Sequence, residues 1–133
     1  MLLKKITSIF KHFKDFLIGI YIRSENREEK FKTIYKFSYW KSSTSKSFSG
    51  SGSEMNATQN IRKELFEFIK RENINTILDL PCGDFYWMSQ INLDHLVYTG
   101  ADIVDEIIED NKKKYEKKNL RFIKIDIIKD NLE

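Results

Sequence analysis

Ile77, Leu78, Asp79, Leu80, Pro81, Cys82, Gly83, Asp84 and Phe85 decide how this 133-residue chain is read. A short apolar run ends in an acid, and a turn with a single glycine follows it. Three apolar residues, Ile77, Leu78 and Leu80, bounded by a Pro-Cys-Gly turn fit a short strand, and the turn is expected to open a helix over 85–91. Further out, the apolar pattern predicts a helix starting near Asn56 or Thr58, a strand over 76–80 and a second strand over 97–103. A helix over 104–118 and a third strand over 120–127 follow. Strands alternating with helices specify βαβ units and a parallel sheet. In such a sheet Asp79 and the turn after it lie at the carboxyl edge, where α/β folds bind ligands.

Two more acids repeat that position. Asp102 closes the second strand 23 residues after Asp79, and Asp126 lies in the third 24 residues later. One acid at each strand tip lines one edge with carboxylates, which accept hydrogen bonds from amines and hydroxyls. A dinucleotide fingerprint is missing: Gly83 is the only glycine of the turn, with Pro81 and Phe85 at positions where further glycines are needed. This weighs against a nicotinamide enzyme despite the acid on the second strand. Cys82 has no base near it in sequence, and His12 and His95 are isolated, so no nucleophile, no catalytic residue and no metal site is assigned.

Over residues 56–127 the chain resembles the class I S-adenosylmethionine-dependent methyltransferases. The likeness rests on Leu78, Asp79, Leu80, Pro81, Cys82, Gly83 and Asp84, and it is closer to a bacterial subgroup whose motif continues with Phe, any residue and Trp, as Phe85, Tyr86 and Trp87 do here. Ser49 to Ser53, followed by Thr58, Ile61 and Arg62, is similar to the approach to the motif in that subgroup. The resemblance implies a Rossmann-like, three-layer sandwich with a parallel sheet, preceded by N-terminal helices. It implies S-adenosylmethionine as cofactor, with Asp79, Cys82 and Gly83 beside its methionine part, Asp102 with Ile103 at the ribose, and Asp126 with Ile127 near adenine. Pro81 and Phe85 depart from the family pattern. The family sheet has seven strands, so the three expected here form an incomplete, cofactor-binding half that a partner chain could complete. Its methyl acceptor is not legible.

Composition sets the remaining bounds. One chain of this length suits a single small domain, and one cysteine excludes a disulfide framework, pointing to a reducing, cytoplasmic setting. Net charge is +3, but residues 1–53 hold 11 basic and 4 acidic side chains against 12 and 16 in residues 54–133. Three segments follow. Residues 1–41 combine an amphipathic helix pattern with an aromatic-rich stretch, Phe31 to Trp40; residues 42–55 form a Ser/Gly-rich loop expected to be mobile; residues 56–133 form the α/β unit. The apolar run 16–22 is far too short for the roughly 20 residues that cross a bilayer. Residues 1–23 therefore either dock on the domain or make peripheral contact with a membrane or partner. No strong nucleic-acid signal accompanies the basic half. The competing functional class is a non-enzymatic interaction module that attaches through this basic N-terminus.

Overall fold

The computed structural model describes residues 19, 26–41 and 43–130. The chain divides into two compact units, residues 1–39 and 40–133. The expected amphipathic helix over residues 1–23, and the membrane contact assigned to it, lie outside the described residues except for Gly19. Among the described residues no helix is long and apolar enough to cross a membrane.

In the first unit, helix α1 (Arg27–Lys36) starts where Asn26 accepts a hydrogen bond from the Glu29 N–H at 3.3 Å. Glu28 and Glu29 in its first turn and Lys36 in its last complement the helix dipole. In the aromatic stretch after it, Phe37 and Tyr39 are partly exposed.

The second unit is an α/β fold. Its elements are α2 (Gln59–Arg71), β1 (Thr76–Asp79), β2 (Val97–Asp102), α3 (Asp105–Tyr115) and β3 (Leu120–Lys124). The three strands form one parallel sheet in the order β1-β2-β3. Thr76 pairs with Val97 and Tyr98 with Leu120, so Asp79 lies opposite Gly100, and Asp102 opposite Lys124. β2, central and covered on both sides, is buried from Tyr98 to Asp102, as a strand between two parallel neighbours should be.

Register places Ile77, Asp79, Tyr98, Gly100, Asp102, Leu120 and Phe122 on one face. The main core forms there, where Tyr98, Leu120 and Phe122 meet Phe85 and Met88 of the crossover, Ile69 of α2 and Ile108 of α3. On the opposite face Leu78 is 51% exposed.

α2 starts after Thr58, one of the two expected starts, with Asn56 in the preceding turn; the Thr58 hydroxyl is spent on the Glu54 carbonyl at 2.8 Å instead of capping the helix. Its buried stripe runs through Leu65, Phe66 and Ile69, while Ile61 and Phe68 are 52% and 44% exposed. The expected helix over 85–91 is absent. Turns and one 3₁₀ turn, Met88–Gln90, replace it. Phe85 has φ 54°, which no α-helix accommodates. Such a conformation costs a side-chain-bearing residue about 1–2 kcal/mol, and burying a phenyl ring returns about 1.5–3 kcal/mol. Packing therefore prevails: the Phe85 ring lies 5.1 Å from each of Tyr98, Tyr115 and Phe122. β3 also stops at Lys124, and Asp126 belongs to the turn beyond it.

Candidate functional site

Two hydrogen bonds tie the turn after β1 to the tip of β2, and a third ties that tip to the start of α3. The Cys82 N–H donates to the Ala101 carbonyl at 2.8 Å, and the Gly83 N–H donates to Asp102 Oδ2 at 3.1 Å. The third comes from the other side, where the Val104 N–H reaches Asp102 Oδ1 at 3.1 Å. Asp102, only 4% exposed, thus pins the motif turn and the start of α3 to one carboxylate. Gly83 has φ 54°, a left-handed conformation that glycine adopts without penalty and that turns its N–H toward Asp102.

Asp79 stands beside this pin on the same sheet face. Its Oδ2 accepts the Tyr98 hydroxyl. Burial raises the Asp79 pKa, opposed by the Tyr98 hydrogen bond and reinforced by the Asp102 charge. Burial also raises Asp102, against the stabilising amides of Val104 and Gly83. Both acids therefore cost folding free energy when ionised. Their contribution to stability is full below the ordinary carboxylate pKa of 3.8 and is lost as pH climbs through each raised value. Asp79→Asn keeps an oxygen for Tyr98 and removes one of these charges. Its stability relative to the wild type is expected to improve as pH rises above the ordinary carboxylate pKa of 3.8 and to level off past the raised value. Urea midpoints at several pH values check this, and a constant difference between the two proteins would refute it.

Cys82 lies between the two acids in charge terms. Burial, then Asp102, then Asp79 raise the thiol pKa far above its usual value, so the sulfur stays protonated and is not a nucleophile. Gly100 serves packing: a Cβ there would meet the Phe122 ring at 2.7 Å and Cys82 Sγ at 3.2 Å. Ile103 is half-buried next to Asp102. Asp126 accepts from the Ile128 N–H at 3.1 Å and its own N–H donates to Asp130 at 2.8 Å. It shapes its own turn, and Ile127 is 60% exposed.

Two contributors, Asn111 and Glu54, have no place in the sequence motif, and a third, Asp84, stands in it without an assigned role. Asn111 of α3 is fully buried and donates through Nδ2 to the Gly83 carbonyl at 2.7 Å. Its signal is positional: three after Ile108 and four after Ile107, it is a polar residue on an otherwise apolar helix stripe. Asp84 and Glu54 organise the serine-rich loop. The Asp84 carboxylate accepts the Ser47 hydroxyl at 2.9 Å, the Phe48 N–H at 2.6 Å and the Ser49 hydroxyl at 3.1 Å. Glu54 accepts the Ser45 hydroxyl and the Lys46 and Ser47 N–H groups, the latter two at 2.8 and 2.9 Å. These bonds hold the Glu54 carboxyl below its ordinary range, the Ser45 hydroxyl contributing most.

The segment expected to be a mobile loop is therefore irregular but anchored, with Ser45 and Ser47 buried. Composition did report the lack of α-helix and strand, the segment holding only a 3₁₀ turn at Ser51–Ser53. It could not report that two distant carboxylates supply the partners. Asp84→Ala is expected to cost about 1–2 kcal/mol and to speed amide exchange at Phe48 and Ser49 about tenfold or more. Exchange unchanged at those two amides would show that Asp84 does not hold the loop.

No family model, curated protein or solved structure matches this chain. The functional case rests on the site's own chemistry. Its acceptors are concentrated at the carboxyl edge, its one thiol is inert, and no group of three or more metal-ligating side chains occurs among the described residues.

Proposed function

We propose that the α/β unit is the cofactor platform of an S-adenosylmethionine-dependent methyltransferase with a Rossmann-like sheet, acting on an acceptor whose class is open. The observation that carries this reading is the bond from Gly83 to Asp102, which joins the turn after β1 to the acid of β2 with Asp79 alongside. The donor set of the cofactor fits these residues. An ammonium, two ribose hydroxyls and the adenine amine are all donors, and the chain offers Asp79 and Asp102 at the edge and Asp126 in the turn beyond β3. Tyr98 occupies Oδ2 of Asp79, leaving Oδ1 for the ammonium. Asp102 already takes two backbone amides; a carboxylate offers about four acceptor directions, so each oxygen retains one for a ribose hydroxyl.

When bound, S-adenosylmethionine supplies an electrophilic methyl group on its sulfonium sulfur. The chain's part is positioning. Asp79 orients the amino-acid end, Cys82 and Gly83 border it with backbone, Asp102 and Ile103 hold the ribose, and Asp126 with Ile127 flanks adenine. Burial around Asp79 and Asp102 keeps water away from these charges and strengthens each contact. Transfer to a correctly placed acceptor atom depends mainly on approach and alignment, so no general base is assigned. β1 is an edge strand with Leu78 half-exposed, and a partner strand alongside it would extend the sheet. A reducing cytoplasm, where Cys82 remains a thiol, suits this platform.

Calorimetric titration of the protein with S-adenosylmethionine and with S-adenosylhomocysteine tests the proposal. Saturable binding of both, weakened about tenfold or more by Asp79→Asn through the loss of one charge-assisted contact, is expected. Failure of the folded wild-type protein to bind either compound would remove the reading.

A further inference from the structure

A second feature of the α/β unit, away from the acids of the sheet edge, has the opposite chemistry. A cleft of about 650 Å³ lies between the first half of α2 and the segment after the 3₁₀ turn. Arg62, Lys63, Asn56, Gln59, Gln90 and Asn92 line it, two cations and four amides, with no acidic side chain in the lining. Phe66 and Ile91 add apolar wall.

Arg62 is the informative residue. Its Nη2 donates to the Met55 carbonyl at 2.8 Å, which fixes the guanidinium in place. Its Nε, buried from solvent, has no hydrogen-bond partner. That atom is closed off from solvent, so recognition in the cleft falls to the guanidinium's outer nitrogens. The accessible donors are Nη1, which makes no hydrogen bond, and the second Nη2 proton; together they form the end of the fork that a carboxylate or phosphate takes with two parallel bonds. Lys63 is exposed next to it and makes no ion pair among the described residues, so a second positive charge is available at the same cleft.

We infer that this cleft binds an organic oxyanion, a carboxylate or phosphate attached to an apolar group. Arg62 supplies the fork, Lys63 the second charge, and the four amides the surrounding hydrogen bonds, with Phe66 and Ile91 against the apolar part. The inference stands apart from the methyltransferase reading, because none of these residues belongs to the turn after β1 or to the strand tips.

Two-dimensional NMR titration of the full chain at constant ionic strength tests it, with phenyl phosphate, benzoate and inorganic phosphate as probes. Saturable shifts at the amides of Asn56, Gln59, Gln90 and Asn92 are expected, stronger for phenyl phosphate than for inorganic phosphate because only the former has an apolar part. Comparable saturation by benzoate identifies recognition of any oxyanion; saturation by phenyl phosphate alone identifies a phosphomonoester. Lys63→Gln, on the surface, and Arg62→Lys, which retains charge without the fork, should each weaken binding about tenfold or more. No saturable shift in the wild type, shifts confined elsewhere, or unchanged affinity in folded Lys63→Gln and Arg62→Lys would overturn the inference.

Discussion

Phe122→Ala is expected to lower the unfolding free energy by about 3–5 kcal/mol, the usual cost of emptying a buried phenyl site. Phe122 is fully buried on β3, in a ring cluster with Phe85 at 5.1 Å, Tyr98 at 6.3 Å and Tyr115 at 6.5 Å. Those partners come from the crossover, β2 and α3, so one truncation weakens every junction of the core at once. Small domains have only about 5–15 kcal/mol in total, and such a loss should leave the variant close to its unfolding threshold. The effect should also reach the candidate site, since the Phe122 ring fills the space over Gly100 that Cys82 borders. Urea denaturation of wild type, Phe122→Ala and Val97→Ala measures it. Val97 is half-exposed and should lose much less. A Phe122→Ala loss below about 1 kcal/mol, less than one buried methylene's usual range allows for a whole ring, would contradict the core described here.

Asp102→Ala is expected to destabilise the ligand-free protein by about 2–3 kcal/mol, because two backbone amides lose their only acceptor at once. The Gly83 and Val104 N–H groups both end on this carboxylate. Removing a buried charge with a raised pKa returns part of the cost, which keeps the figure below the sum of two unsatisfied donors. An acid serving only a ribose would behave differently: its removal would weaken cofactor binding and leave the free protein's stability unchanged. Thermal or urea unfolding without ligand therefore separates a structural pin from a purely ligand-facing acid. Titration with S-adenosylmethionine then reads the second role. Undiminished stability of ligand-free Asp102→Ala would show that the turn after β1 is held by its other contacts, chiefly the Cys82 bond to Ala101.

The strands were the most legible part of the chain. β1 and β2 fall within one residue of the expected bounds, because a short apolar run bounded by a turn is a local signal that packing only reinforces. α3 is shorter at both ends, from Asp105 to Tyr115, since the lysines and acid after Tyr115 have no apolar stripe to bury. Around the site, Asp79, Cys82, Gly83 and Asp102 are brought together as their places at successive strand ends suggest. Asp126 and Ile127 lie in a separate turn after β3.

The expected helix after Gly83 failed for a reason no window of sequence contains. Phe85, Trp87 and Met88 have the composition of a helix start, yet the Phe85 ring is claimed by Tyr98, Tyr115 and Phe122, up to 37 positions away. The serine loop failed in the same way, since the Asp84 carboxylate that anchors Ser47 lies 37 residues downstream.

The sequence by itself determined the parallel α/β sheet and the placement of Asp79 and Asp102 at its carboxyl edge, because periodicity and strand-end position are properties of neighbours in the chain. Only the tertiary structure decided that Asp102 is a buried pin, that Asn111 braces the turn, that Asp84 anchors the serine loop, and that Arg62 lines a cleft without acids. Hydrogen-bond partners and burial are set by residues distant in sequence, and those are chosen when the elements pack.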